Sequence, residues 1–208
     1  MSHGHRGPHR FLDCMTTLLD KPAIRAASLA ARGAIATDVA ADFATRLADM
    51  GPTLAREHHA MVVSAYWSVG DEILTLPLLE ALAAAGFSVA LPVTGRIGEA
   101  LVFRQWKPGD GMALGRMNIP SPNADAPVMR PDLLFVPLAA FDRHGHRIGY
   151  GAGFYDRSLA ALRAQKTIVA IGVGYAAQEV PSVPYEPHDQ ALDFVLTERE
   201  LIACGTEA

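Results

Sequence analysis

The segment FDRHGHRIGYGAGFYDRSL (141–159) carries the residue types and spacing with the clearest chemical potential in this chain. Glycines alternate at 149, 151 and 153, Arg147 precedes them and Asp156 follows. Alternating glycines let a backbone approach a ligand closely and adopt positive φ. If a helix opens directly behind them, its first amides and the positive end of its dipole face an anion. Arg147 could neutralise phosphate oxygens beside those amides. Asp156 would lie in the first helical turn, either complementing the dipole or serving as a Mg²⁺ ligand beside phosphates. PHDQALD (187–193) offers a second carboxylate, Asp189 or Asp193. By spacing alone, a tight structural turn and a phosphate cradle fit the glycines equally well.

Other candidates are sparser. Lys21 and Arg25 are four apart and share a face if helical. His58 and His59 are adjacent, and His144 and His146 flank Gly145, so neither pair has the spacing of a helical zinc site. These four read as surface histidines, and Arg143, His144 and His146 as residues that shape or solvate the turn. His3, His5 and His9 read as part of a polar, frayed terminus. No Walker A motif, dinucleotide-type G-x-G-x-x-G or G-x-S-x-G nucleophile elbow occurs.

Positioning such a loop requires a strand before it and a helix after it, and the pattern supplies both. DLLFVPL (132–138) predicts a core strand, residues 154–165 a helix and TIVAIGVGY (167–175) a further strand. Earlier, Asp20 and Pro22 mark a helix start, and TDVAADFATRLADMG predicts a second helix capped by Thr37 or Asp38 and stopped at Gly51. AMVVSAYW (60–67), the loop SVGDEIL, a helix ending at Gly86 and the strand FSVALPV form a strand–helix–strand unit, the mark of a parallel sheet. ALVFRQW (100–106) predicts another strand. Residues 107–131, with five prolines, predict a long, mostly irregular excursion, a lid or binding loop. FVLTERELIAC predicts a short strand and a last helical turn. The expected fold class is α/β, a single three-layer α/β/α domain over 20–208 with a mostly parallel central sheet, preceded by a flexible extension, 1–19.

The 208-residue chain can bury a sizeable core. Half of it is hydrophobic and 19% is charged, the balance of a soluble globular protein. Its net charge is -4, but segments 1–32 and 141–166 are locally basic, which points to a discrete anionic ligand rather than nucleic acid. No apolar run approaches the roughly 20 residues of a membrane span. Cys14 and Cys204 make a poor disulfide framework, which suits a cytoplasmic setting.

The stretch FVPLAAFDRHGHRIGYGAGFYDRSL resembles the signature of the 5-formyltetrahydrofolate cyclo-ligase (5,10-methenyltetrahydrofolate synthetase) family: strand, Phe-Asp, a basic turn, then Arg-x-Gly-[Tyr/Arg]-Gly-x-Gly-[Tyr/Phe]-Tyr-Asp. Lys21 and Arg25 are similar to its N-terminal K-x-x-x-R, SVGDEILTLPLLEAL to its Asp-Glu-Ile turn and helix, NIPSP to its Ile-Pro-x-Pro, and PHDQALDFVLTE to its C-terminal acidic stretch. The likeness runs over roughly residues 20–200. Ser121 stands where members often have Glu, and the strand before Arg96 lacks the basic residue many carry after its proline.

The resemblance implies ATP- and Mg²⁺-dependent closure of 5-formyltetrahydrofolate to 5,10-methenyltetrahydrofolate, with release of ADP and phosphate. It implies that Lys21, Arg25 and Arg147 contact nucleotide phosphates, and that Ile148, Gly149, Tyr150, Gly151, Ala152, Gly153, Phe154 and Tyr155 wrap the nucleotide. Arg147 and Tyr155 would be catalytic. Trp67, Glu72, Tyr150 and Phe154 would line the folate site, and Asp156 and Asp189 would hold Mg²⁺, with Asp193 as the alternative to Asp189. The expected partners are reduced folate and ATP, with neither nucleic acid nor membrane, and the expected state is a monomer or small homo-oligomer. A non-catalytic relative that binds folate or nucleotide for regulation is the competing reading. An acyl- or CoA-transferase-like enzyme built around Glu72 is a third.

Overall fold

The computed structural model describes residues 20–205, so the expected N-terminal extension, with His3, His5, His9 and Cys14, lies outside the described residues. Helix α1 (Lys21–Gly33) starts as its sequence demands. Asp20 Oδ1 accepts a hydrogen bond from Ala23 N at 2.9 Å, and Pro22 sits in the first turn. Helix α2 (Thr37–Glu57) follows, then strand β1 (Val62–Ser64), helix α3 (Leu76–Ala84), strand β2 (Ser88–Val93) and strand β3 (Val102–Gln105). Strands β4 (Met112–Leu114) and β5 (Pro120–Pro122) form a hairpin. Then come β6 (Leu133–Pro137), the small hairpin of β7 (Ala140–Phe141) and β8 (Arg147–Ile148), α4 (Phe154–Arg163), β9 (Val169–Val173), β10 (Phe194–Leu196) and β11 (Leu201–Ala203).

The central sheet has seven strands in the order β11-β10-β9-β6-β1-β2-β3. The five inner strands are parallel, and both edge pairs are antiparallel. Alternation along β6 shows the layering. Leu133 and Phe135 face one side with Leu47 and Leu54 of α2 and Leu78, Leu79 and Leu82 of α3. Leu134 and Val136 face the other with Leu159 and Leu162 of α4. A strand buried on both faces must be apolar throughout, which is why LLFV reads as a continuous run. From β1 the chain proceeds through α3 to β2 on one side, and from β6 through α4 to β9 on the other. The direction of winding therefore reverses between β1 and β6, where open α/β sheets leave a ligand crevice at the carboxyl ends of the strands.

Three expectations change. Helix α2 does not stop at Gly51 but runs on through Pro52 to Glu57. Gly51 serves packing instead: a Cβ there would lie 2.1 Å from Leu78 Cδ1, so its absence lets α2 and α3 close on each other. The 107–131 excursion is less irregular than its prolines suggest. Pro120 and Pro122 sit in the short β4–β5 hairpin, where β5 is paired on one side only, so its other edge requires no N–H for a ladder. The final helical turn is strand β11 instead. Thr197 Oγ1 accepts from Arg199 N and Glu200 N, reversing the chain so that Leu201–Ala203 pairs with the otherwise open edge of β10. Among the described residues no helix is long and apolar enough to cross a membrane.

Two outcomes follow from the packing. Gly51→Val drives two methyl groups against fully buried Leu78 and should cost about 1–3 kcal/mol, read as a lower urea midpoint with unchanged m. Asp132, at the foot of β6, accepts from Met61 N and Val62 N and from Lys166 Nζ at 2.6 Å. Burial alone would raise its pKa, but Lys166 and the two amides outweigh it and hold the carboxyl below its ordinary value. Its folded pKa is depressed, so its contribution is complete above the unfolded value of about 3.9 and fades as pH falls through the folded one. The stability gap between wild type and Asp132→Asn, measured by urea titration, should be clear at pH 7 and shrink below about pH 4.

Candidate active site

Two loops meet at the β1/β6 switch point. The first leaves β1 and runs through Trp67 and Glu72 to α3. Thr75 anchors its far end by donating from Oγ1 to Tyr66 O at 2.5 Å, wholly buried. Glu72 Oε2 accepts from Val69 N at 2.8 Å, which curls the loop so that the other carboxylate oxygen faces the second loop. There Glu72 Oε1 accepts from Tyr150 Oη at 2.5 Å. Two residues expected on the folate side are thus in contact, although 78 positions separate them. Burial raises the Glu72 pKa above its ordinary value, against the hydrogen bonds from Tyr150 and Val69. Burial and the Glu72 charge raise the Tyr150 hydroxyl, keeping it a proton donor. Trp67 is half-buried and packs against the main core.

The second loop begins at a rigid turn between β7 and β8. Asp142 is completely buried and accepts from His144 N, His146 N and Val183 N, with His146 Nδ1 at 3.1 Å. Gly145 has φ 91°, and a Cβ there would fall 2.4 Å from Leu192 O, so only glycine fits. His146 stacks on Tyr185 with centroids 3.9 Å apart, and Arg143 pairs with Glu179 and Glu200. Arg143, His144 and His146 therefore shape the turn, as expected.

Arg147 emerges from this turn almost completely buried, its side chain 4% exposed. It donates to Asp156 Oδ1 at 2.8 Å and to Gln190 O at 2.5 Å, and Gln190 N donates to the same Asp156 oxygen. Burial lowers the Arg147 pKa from its ordinary value, and Asp156 opposes that pull. The pair ties β8, the first turn of α4 and the 186–193 segment into one body. Lys21 Nζ lies 2.6 Å from Asp189 Oδ2 and 3.6 Å from Glu186 Oε1. Against a burial penalty, these hydrogen bonds hold Asp189 below its ordinary pKa and Lys21 above its own. Asp193 is engaged elsewhere, with Arg163 at 3.1 Å and Ala170 N at 2.7 Å, which is a structural tie.

The glycine loop closes the site. Arg25 Nε donates to Gly149 O at 2.7 Å. Gly151 has φ 98°, and a Cβ added there would point at the Arg25 guanidinium, 3.7 Å away. Gly153, at φ 64°, is the N-cap of α4 and supplies no side-chain cap, so among the described residues no side chain satisfies the first amides of that helix. Arg157 donates to Ala152 O and lies over the Phe154 ring. Ile148 is buried against Ile24 of α1. Tyr155 packs into the α4 side of the core, and burial and the Glu72 charge keep its hydroxyl protonated.

Arg25 thus reaches the glycine loop itself, while Arg147 and Lys21 pair with Asp156 and Asp189 at its flank. Among the described residues no group of three or more His, Cys, Asp or Glu donors could hold a metal ion by itself. Arg32 was not singled out from the sequence, yet it donates from Nη1 to Tyr150 Oη at 2.6 Å. The available signal was its spacing, seven residues beyond Arg25 and so on the same face of α1.

Known proteins resemble this chain along most of its length. Residues 18–198 match the family model described as "5-formyltetrahydrofolate cyclo-ligase family". The chain is 35% identical over 159 residues to the 5-formyltetrahydrofolate cyclo-ligase of Escherichia coli K12, covering 74% of this chain and 85% of that one. It is 32% identical to the Haemophilus influenzae cyclo-ligase over 148 residues, covering 69% and 79% of the two chains. In fold it is similar to the 5,10-methenyltetrahydrofolate synthetase of Aquifex aeolicus, with a TM-score of 0.70 at 21% identity, covering 90% of this chain and 94% of that one. A second similar structure, the Mycoplasma pneumoniae synthetase, gives a TM-score of 0.67 at 20% identity, covering 90% and 100%. A family match across nearly the whole described chain, on the fold that places the glycine loop at the switch point, assigns this protein to the 5-formyltetrahydrofolate cyclo-ligase family.

Proposed function

We propose that the protein closes 5-formyltetrahydrofolate to 5,10-methenyltetrahydrofolate at the expense of ATP, through phosphorylation of the formyl oxygen and attack by N10. The observation that carries this reading is that Arg25 holds the 149–153 loop at Gly149 O while Arg147 and Lys21 pair with Asp156 and Asp189 beside it, next to first amides of α4 that no side chain caps among the described residues. A formamide is a weak electrophile with a poor leaving group. Transfer of the γ-phosphoryl to its oxygen releases ADP and gives an iminium phosphate, N10 adds to that carbon and gives up its proton, and the C–O bond breaks as phosphate departs. The protein's share of the work is positioning and stabilising charge.

The residues divide accordingly. Lys21, Arg25, Arg147 and the backbone from Ile148 to Tyr155 receive the nucleotide, with amides and cations facing its phosphates. Arg147 is preorganised by Asp156 and Gln190, so it need not reorient as charge moves to the transferring group. The Tyr155 hydroxyl stays protonated and so is a donor for a phosphoryl or formyl oxygen. Trp67, Glu72, Tyr150 and Phe154 line the folate side, where an aromatic face and a carboxylate suit a pterin. Mg²⁺ fits the donor set. Asp156 and Asp189 would be its hard oxygen ligands beside the phosphates, and two carboxylates with phosphate oxygens and water suit that ion. Bound there, the ion would neutralise the phosphates.

Purified protein with ATP, Mg²⁺ and 5-formyltetrahydrofolate should generate the near-ultraviolet absorbance of the methenyl product; binding of either substrate without turnover would instead support a regulatory relative. Arg147→Ala and Asp156→Asn should each raise the KM for ATP about tenfold or more, while wild-type ATP kinetics in both would sink the nucleotide assignment. Each also breaks a part-buried ion pair, so the urea midpoint should fall as well. Glu72→Ala should raise the folate KM about tenfold with the ATP KM within about twofold.

A further inference from the structure

The side chain of Arg32 is unexplained by the nucleotide half of the site. Its Nη1 donates to Tyr150 Oη, and the same hydroxyl donates to Glu72 Oε1, so guanidinium and carboxylate stand a single oxygen atom apart. Arg32 Nε is buried without a hydrogen-bond partner among the described residues. A buried N–H left unpaired is costly, and its presence at a crevice marks a position that a ligand oxygen would satisfy. Arg32 and Glu72 line one narrow gap with Tyr66, Ile73, Pro137, Leu138 and Val173, closed to water-sized groups in this conformation, so a ligand reaches it only by displacing what now bridges the two charges.

The Tyr150 hydroxyl accepts from Arg32 and donates to Glu72. An acceptor beside a donor is also what the pyrimidinone edge of a pterin presents, with its C4 carbonyl oxygen next to N3–H and the 2-amino group. A carboxylate matches the two donors, and a guanidinium matches the carbonyl. Tyr150 can vacate the position. It is half-exposed and sits between Gly149, where an added Cβ would meet none of the described residues within 4 Å, and Gly151 at φ 98°.

We propose that Arg32 is a specificity-determining residue of the folate pocket, reading the C4 carbonyl of the pterin while Glu72 reads its N3–H and 2-amino group, and that Tyr150 holds the pair apart until the pterin displaces it. This rests on the folate reading of the site. The selectivity it confers is for a 4-oxo over a 4-amino ring, because an amino group at C4 would turn a donor toward the guanidinium and leave the Arg32 N–H groups unpaired.

The test is binding without turnover, measured by calorimetry on wild type, Arg32→Met and Arg32→Lys. The probes are 5-formyltetrahydrofolate, its 4-amino analogue and ATP. Wild type should prefer the 4-oxo ligand at least tenfold. Arg32→Met should weaken 5-formyltetrahydrofolate about ten- to a hundredfold, reduce the 4-oxo preference to the part that Glu72 confers through N3–H, and leave ATP affinity within about twofold. Arg32→Lys, which retains a donor, should recover part of the preference and guards against misfolding of the methionine variant. Loss of ATP and folate binding together in both variants, or an unchanged 4-oxo preference in Arg32→Met, overturns the proposal. Failure of wild type to bind 5-formyltetrahydrofolate would overturn the folate reading with it. Binding of 5-formyltetrahydrofolate without ring closure would sink only the proposed reaction and leave the Arg32 result standing.

Discussion

The buried pair of Arg147 and Asp156 is the constraint on which the rest of the site depends. A guanidinium with a 4% exposed side chain persists only if its donors are met, and here Asp156 and the Gln190 carbonyl meet them. Because the partners come from the first turn of α4 and from the 186–193 segment, satisfying one charge fixes three pieces of chain against each other. The glycine loop between Arg147 and α4 is then held at both ends and can keep its positive-φ conformation without further support. Arg25, donating to Gly149 O, adds the N-terminal helix to the same assembly.

That assembly has its place because of how the sheet is wound. Reversal between β1 and β6 leaves an opening above adjacent strands, and the loops leaving them are the ones that carry Glu72 and Tyr150. The scaffold below is stiff. β6 is buried on both faces, α2 and α3 close tightly over Gly51, and Asp132 ties the foot of β6 to β1. The loop carrying Tyr150 is more open, so rigidity and adaptability are separated along the strand axis: packing at the middle, glycines and exposed polar groups at the mouth.

Much of the fold was legible because local signals agreed with the global answer. Asp20 and Pro22 start α1 where capping chemistry says they should, and the continuous apolar run of β6 could hardly be anything but a buried strand. The misreadings share a cause. Gly51 looks like a stop because glycine is a poor helix former, yet what it answers to is the side chain of Leu78, 27 positions away in sequence and invisible to local pattern. The end of the chain looks helical by composition, but β10 had an unpaired edge, and Leu201–Ala203 was the segment within reach of it. Pro120 and Pro122 argue locally against a ladder and are accommodated because their strand pairs on one side.

For the site, the sequence by itself determined the ingredients: alternating glycines behind a core strand, Arg147 before them, Asp156 after them, and a Lys-Arg pair on an early helix. Side-chain chemistry and backbone freedom are local properties, so local sequence suffices to name them. Only the tertiary structure decided which ingredients meet. It set Asp189 rather than Asp193 beside Lys21, joined Glu72 to Tyr150 and brought Arg32 to their shared hydroxyl. Those choices follow from the order of strands in the sheet and from the burial of a few charges, and both depend on contacts between residues far apart along the chain.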